Sequence, residues 1–185
     1  MSKKNNYHIS IILLHWIMAL AIFLMLISGT IIEYTDINKS LKFDLYQYHK
    51  SLGVLLLIAL LVRVFCRMIT RIPTLPKKFS NLEVKLTKCG HYILYLLMLT
   101  MVSSGWFIVS TSSYGLPTIV FGLFEWPHIP NLMGERKLHK LAELIHFVGA
   151  ISLFLAIIGH VGMVIKHKII DREGLLQRIW FSKRK

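Results

Sequence analysis

Four long apolar stretches constrain this 185-residue chain more than any other feature of its sequence. They lie near residues 9–32, 46–69, 89–111 and 141–165. A helix needs about 20 mostly apolar residues to cross the roughly 30 Å hydrocarbon layer of a membrane, and each stretch is long enough. The chain is also 55% hydrophobic, above the roughly 45–50% of soluble domains. We therefore expect an all-α membrane protein, a four-transmembrane-helix bundle that forms a single membrane domain over residues 1–185.

The distribution of positive charge predicts the topology. The formal net charge is +13, and the basic residues cluster beside the apolar stretches. Most of them lie in the connection between the second and third stretches and in the C-terminal tail, as the positive-inside rule expects of cytoplasmic segments. Both termini should therefore be cytoplasmic, and the charge argues for topology rather than for nucleic-acid binding. Residues 114–137, which are apolar and interrupted by prolines, should rest on the outer membrane surface.

Four histidines in these stretches are candidate metal ligands. His146 and His160 are fourteen residues apart, which places them on one helix face about 21 Å apart along the axis. In an antiparallel bundle, His15 lies at the cytoplasmic level of His160, and His49 lies at the outer level of His146. An unpaired polar ring is costly in hydrocarbon. The depths therefore predict two pairs, His15 with His160 and His49 with His146.

The chemistry of two facing imidazoles favours haem over zinc. Zinc takes four ligands, or three and a water, from close-set residues, and neither level offers a carboxylate. A b-type haem needs two axial imidazoles from facing helices, and small residues where its edges pass. Small residues do lie on the faces concerned, namely Ala19, Gly29, Gly53, Gly105, Gly149 and Ala156. We therefore predict two haem b groups, with the four histidines as axial ligands of the iron.

Two further residues are assigned to the same sites. Arg63 is fourteen residues after His49, so it lies near the inner level, where it could bind a haem propionate in a bidentate contact. Snorkelling towards the interface is the alternative. His91 begins the third stretch and could line a quinone or proton site beside the inner haem, or lie at the headgroup level. His139 and His167, which neighbour lysines beyond the apolar run of the fourth stretch, should be solvated.

Several segments resemble the bacterial cytochrome b561 family, which is related to the cytochrome b subunits of nickel-iron hydrogenases and formate dehydrogenases. They are LLHW with His15, YHKSLG with His49, LLVRVFCR with Arg63, GHYILYLLM with His91, and the fourth-stretch histidines His146 and His160. The resemblance implies a protein of the cell inner (cytoplasmic) membrane that holds two b haems and exchanges electrons with the quinone pool of a respiratory chain. It also implies, for some members, an oxidoreductase activity that oxidises superoxide and reduces ubiquinone.

Two other functions stay open from the sequence. The four histidines could form the relay of a haem-free permease for a metal ion or for protons. The chain could also be the haem-bearing membrane anchor of a dehydrogenase or a hydrogenase. The partners expected are membrane lipid, a quinone, and superoxide or a redox protein as electron donor.

Overall fold

The computed structural model describes residues 7–70, 72–74 and 79–181. Within them, the elements in chain order are α1 (Ile9–Tyr34), α2 (Lys39–Ile69), α3 (Asn81–Thr111), β1 (Thr118–Val120), β2 (Phe124–Trp126), α4 (Arg136–Ile169) and α5 (Leu175–Arg178). Each of the four long helices contains one predicted apolar stretch, and all four are long and apolar enough to span a membrane. The predicted four-helix membrane fold is confirmed.

Side-chain caps explain why two of the long helices, α2 and α3, begin earlier than the apolar stretches. Asn38 caps α2 by accepting the N–H of Leu41 at 2.8 Å. Ser80 and Glu83 form a reciprocal capping box at the start of α3, which satisfies backbone N–H groups that have no partner inside the helix. Hydropathy marks the membrane part of a helix, whereas polar first turns carry the cap. The predicted starts at residues 46 and 89 are therefore too late, and α2 and α3 begin at Lys39 and Asn81. The fourth helix also begins earlier than residue 141, at Arg136, but without a side-chain cap.

The helices pack in sequence order. α1 packs on α2, α2 on α3 and α3 on α4. A core of Met18, Ala21, Leu56 and Leu60 lies between α1 and α2, and Tyr95, Met98 and Val102 of α3 pack against it. Within the described part of the chain, no residue of α4 joins this core. The side of α4 that faces α1 and α2 is therefore available for the histidine pairs.

A β hairpin forms one end of the bundle, which we call the hairpin end. β1 and β2 pair antiparallel, with Ile119 opposite Glu125. Ser51 of α2 holds the hairpin, because its Oγ accepts the N–H of Phe121 at 3.2 Å and lies 3.1 Å from the carbonyl oxygen of Ile119. The connection between α3 and α4 therefore forms a hairpin that packs against α2. Its position on the outer membrane surface stays a prediction.

The chain after α4 folds back across the opposite end of the bundle. We call residues 174–181 the strap and this end the strap end. Trp16 donates its indole N–H to the carbonyl of Ile179 at 2.9 Å, and the backbone N–H of Tyr7 donates to the carbonyl of Arg178 at 3.2 Å. The Arg178 guanidinium donates to the carbonyl of Thr74 at 2.8 Å. The strap therefore joins the start of α1 to the connection between α2 and α3.

His167 corrects one sequence prediction. It is 4% exposed, because the ring of Phe79 packs on it with centroids 4.9 Å apart and Asp171 contacts its Nδ1 at 2.5 Å. The expectation that His167 is solvated is wrong. His139, for which the same was expected, is partly exposed, with 28% of its side chain accessible.

An ion-pair cluster surrounds His167. The Lys166 ammonium lies 3.2 Å from a carboxylate oxygen of Glu83 and 3.1 Å from one of Asp171. Ligand atoms of Glu83, His167 and Asp171 lie within 4.8 Å of one another, but the lysine already compensates the carboxylates. Hydrogen bonds from His167 and then from Lys166 lower the pKa of Asp171 below its ordinary value. The cluster therefore ties the start of α3 to the end of α4.

Candidate functional site

Two pairs of histidines face each other across the bundle. The ring centroids of His15 and His160 are 6.4 Å apart and their planes meet at 65°. The rings of His49 and His146 show the same distance and the same angle. The first pair lies towards the strap end and the second towards the hairpin end. The structure thus brings together the histidines that helix spacing had paired.

The spacing of the rings fits a metal ion between them. A metal–imidazole bond of about 2.0 Å on each side of an ion places two opposed ring centres about 6 Å apart. Both observed separations are 6.4 Å. No hydrogen bond joins the two rings of either pair among the described residues. Each pair therefore has the separation of two axial ligands, without a direct bond that would explain it.

A serine on α1 orients His49. Ser28 donates its hydroxyl proton to the carbonyl of Met25 at 3.1 Å, and its Oγ lies 2.8 Å from Nδ1 of His49. When the serine proton is donated to Met25, Nδ1 of His49 is the donor in this contact. The lone pair of His49 Nε2 is then available for a metal.

α3 provides the same support for His146. Ser104 donates to the carbonyl of Met101 at 3.1 Å, and its Oγ lies 3.0 Å from Nδ1 of His146. With both serine protons donated to backbone carbonyls, the hairpin-side pair presents two unprotonated Nε2 atoms. A hydrogen bond from the second ring nitrogen is the usual way in which a protein orients a metal-binding histidine.

The two serines belong to a repeated motif that the sequence analysis missed. α1 reads MLISG at residues 25–29 and α3 reads MVSSG at residues 101–105, so Met, Ser and Gly recur in the same places. A Cβ on Gly29 would lie 3.5 Å from Cε1 of His49, and one on Gly105 would lie 3.3 Å from Cε1 of His146. The glycine therefore lets the helix backbone approach the ring that the serine orients. Comparing the apolar stretches with one another would have revealed the motif.

A third histidine lies beside the strap-side pair. The ring centroid of His91 is 5.5 Å from that of His160. Nδ1 of His91 donates to the backbone carbonyl of Thr87 at 2.8 Å, which leaves its Nε2 as an acceptor. His91 stands ten residues before the MVSSG motif, as His15 stands ten residues before MLISG. It is therefore the α3 counterpart of the strap-side histidine of α1.

Arg63 is a buried cation at the same level. It is 9% exposed, its Nε donates to the hydroxyl of Tyr95 at 3.1 Å, and its Nη2 donates to Nδ1 of His15 at 3.2 Å. Among the described residues, no carboxylate forms an ion pair with it. A buried guanidinium is costly unless an anion compensates its charge. The strap side is therefore electropositive, whereas the side chains that hydrogen-bond the hairpin-side histidines are neutral serines.

Four apolar helices that hold two pairs of facing histidines fit one class of protein, the membrane-bound electron carriers. Comparison with known proteins gives the family. The family model described as prokaryotic cytochrome b561 matches residues 6–182. The chain is also 30% identical over 165 residues to cytochrome b561 homolog 2 of Escherichia coli (strain K12), an alignment that covers 89% of this chain and 86% of that protein.

The chain therefore belongs to the prokaryotic cytochrome b561 family. It is a multi-pass membrane electron carrier, and its family implies haem b as the cofactor. The resemblance that the sequence segments suggested is confirmed over most of the chain.

Proposed function

We propose that the chain carries electrons across the cell inner membrane between two b-type haems, one at each histidine pair. His15 with His160 and His49 with His146 would supply the axial ligands. The observation that carries the proposal is the equal separation of 6.4 Å in both pairs. Bound haem iron supplies one-electron redox chemistry. Because two histidines would fill both axial positions, the arrangement suits electron transfer and leaves no ligand position for dioxygen.

The packing around the pairs supports a planar group in the same place. Within the described residues, α4 packs on α3 but shares no buried core with α1 and α2. The histidine pairs lie across this seam, since His15 and His49 come from α1 and α2 and both their partners come from α4. A bound macrocycle would supply the apolar contacts that the helices do not make with one another.

Arg63 supports an anionic group on the strap side. Its guanidinium has donors and no acceptor, so its contact with His15 places the ring proton on Nε2. Ligation through Nε2 therefore requires Arg63 to leave His15. A carboxylate such as a haem propionate would draw the guanidinium away and compensate its charge at the same time. Binding of the anionic group and preparation of His15 as a ligand would thus be coupled.

We further propose that the strap side is the cytoplasmic side and exchanges electrons with a quinone. His91 supports this, because its Nε2 is free to accept a proton and its ring lies 5.5 Å from that of His160. Quinone chemistry couples electrons to protons, and a neutral imidazole is suited to such an exchange. Superoxide is the donor to test at the hairpin end, where Lys50 follows the ligand His49 in the sequence and donates to the carbonyl of Pro117 at 3.0 Å.

The decisive experiment is a reduced-minus-oxidised spectrum of the purified protein, with haem counted per chain as the pyridine haemochrome. We expect b-type bands and two haems per chain. His160→Ala and His146→Ala should each lose one haem, whereas His139→Ala, which changes a histidine outside both pairs, should keep two. A folded protein without haem, made with sufficient haem supply, would overturn the proposal and favour the histidine permease. Copurification of a dehydrogenase subunit would identify a membrane anchor instead.

A further inference from the structure

Trp16 connects a proposed haem ligand to the strap. Its ring lies 5.3 Å from that of His15, at 72°. On its other side it meets the ring of Trp180 at 5.1 Å and 86°, and its indole N–H donates to the carbonyl of Ile179 at 2.9 Å. One tryptophan therefore contacts both the ligand and a segment that is 163 residues away in sequence.

The contact between Trp16 and His15 depends on the direction of the Trp16 side chain. Consecutive residues of a helix point in directions about 100° apart, so their side chains do not normally face each other. An edge contact between neighbours requires one side chain to be held towards the other. The hydrogen bond to Ile179 and the ring of Trp180 fix the indole in that direction.

His15 differs from the hairpin-side ligands in how it is held. Ser28 and Ser104 orient His49 and His146, but the hydrogen-bonding partner of His15 Nδ1 is the cation Arg63. If the Arg63 guanidinium turns to an anionic group, His15 loses this hydrogen bond. The contact with Trp16 is then the main restraint on the orientation of the His15 ring. The strap end thus uses an aromatic contact where the hairpin end uses a serine.

We propose that the strap is a positioning element of the strap-side site. Through Ile179 and Trp180 it holds Trp16 against His15 and so fixes the plane of the ligand ring. Trp16 and Trp180 are positioning residues, since they act on the ligand and not on the iron. This inference rests on the proposed function, because it concerns a haem bound between His15 and His160.

The opposite end provides a matched control. Trp106 donates its indole N–H to the carbonyl of Pro127 at 2.8 Å, and its ring meets that of Trp126 at 5.8 Å. Among the described residues, neither ring is in aromatic contact with a proposed ligand. Trp126→Ala therefore removes a comparable tryptophan pair without touching His15.

The experiment compares Trp180→Ala, Trp180→Phe and Trp126→Ala in the full-length haem-loaded protein. The readouts are the low-spin electron paramagnetic resonance signal of each haem, the midpoint potentials and the rate of haem transfer to apomyoglobin. His160→Ala, which keeps only the hairpin-side haem, assigns the signals. We expect Trp180→Ala to shift the strap-side signal and potential and to release that haem about tenfold faster. Trp180→Phe should bring the strap-side signal, potential and release rate most of the way back to those of the unmodified protein. Trp126→Ala should leave the strap-side haem unchanged.

An unchanged strap-side signal and release rate in Trp180→Ala would overturn the inference, as would an equal strap-side effect of Trp126→Ala. If Trp180→Ala does not fold, Trp16→Phe gives the test, because it keeps an aromatic ring beside His15 but replaces the indole by a smaller ring that has no N–H to donate to Ile179. The unmodified protein is measured first. A count below two haems per chain there is a failure of the proposed function, whereas a full count with unresponsive variants is a failure of the strap proposal alone.

Discussion

Oγ of Ser28 lies 2.8 Å from Nδ1 of His49, where α1 passes α2 on the hairpin side. The proton of that serine is already donated to Met25, so the contact selects the tautomer of the histidine as well as its orientation. Ser104 and His146 repeat the relationship. Both hairpin-side histidines therefore contact a hydroxyl from a neighbouring helix.

Replacing Ser28 by alanine should weaken the hairpin-side haem site. The Nδ1–H of His49 would lose its partner, which costs about 1–3 kcal/mol for a buried donor, and the loss of such an orienting contact lowers metal affinity by about 10- to 100-fold. Haem transfer to apomyoglobin measures the effect, and Ser104→Ala should match it. Ser152→Ala is the control, because Ser152 donates only to the carbonyl of Val148 in its own helix. Equal haem retention in all three variants would contradict the assigned role.

Gly105→Ala should disturb the ring of His146. The added Cβ would lie 3.3 Å from Cε1 of the ring, closer than ordinary packing, so the ring or the helix must shift by a few tenths of an ångström. The optical and paramagnetic spectra of the hairpin-side haem should change. Gly162→Ala introduces the same methyl group on α4 where nothing lies within 4 Å, and its spectra should match those of the unmodified protein. A change of the same size in Gly162→Ala would remove the steric explanation.

Arg63→Gln should weaken the strap-side haem and spare the hairpin-side one. The variant removes the buried positive charge that would compensate an anionic group. Arg63→Lys keeps the charge but loses the planar pair of donors. Its strap-side haem binding should therefore lie between that of Arg63→Gln and that of the unmodified protein. Haem content and the potential of the strap-side haem measure the effect. Arg67→Gln is the control, because Arg67 lies over the ring of Tyr95, 5.9 Å from its centroid, one helical turn further on. If Arg63→Gln binds both haems as tightly as Arg67→Gln does, the propionate assignment is wrong.

Acid should loosen the ion-pair cluster at the strap end. The pKa of Asp171 is lowered in the folded protein by hydrogen bonds from His167 and Lys166, so its ionised form stabilises the fold above the ordinary carboxyl pKa of about 4. That contribution is lost as the pH falls through the folded-state pKa. Thermal unfolding in detergent should therefore show a smaller decrease with acidification for Asp171→Asn than for the unmodified protein. The exposed Asp36 provides the control, and Asp36→Asn should keep the original pH profile.

Helix spacing was sufficient to predict the depth of each candidate ligand. The rise per residue is constant, so fourteen residues between His146 and His160 fix their separation once the segment is known to be a helix. The antiparallel order then places His15 and His49 at the two levels. Apolar length and this arithmetic gave the fold class and both pairings without any tertiary contact.

Helix spacing could not predict the side chains that orient the candidate ligands. The hydrogen bond from Trp16 to Ile179 joins residues 163 positions apart, and its existence depends on how the strap folds. The burial of His167 depends on Phe79 and Asp171 in the same manner. The serines are an intermediate case, because a repeated motif marked them in the sequence although their contacts are tertiary.

The repeated Met-x-x-Ser-Gly motif makes α1–α2 and α3–α4 look like two copies of one helical unit. At the hairpin end the copies agree, since each holds its histidine with the same serine and glycine. At the strap end the copies differ. The residue fourteen positions after His49 is Arg63, whereas the residue fourteen positions after His146 is His160. The contacts of the histidines are therefore alike in the two units at one end and different at the other. An electron crossing the bundle would leave histidines held by neutral serines for a histidine held by a buried cation, so the two ends of the bundle differ in electrostatic polarity.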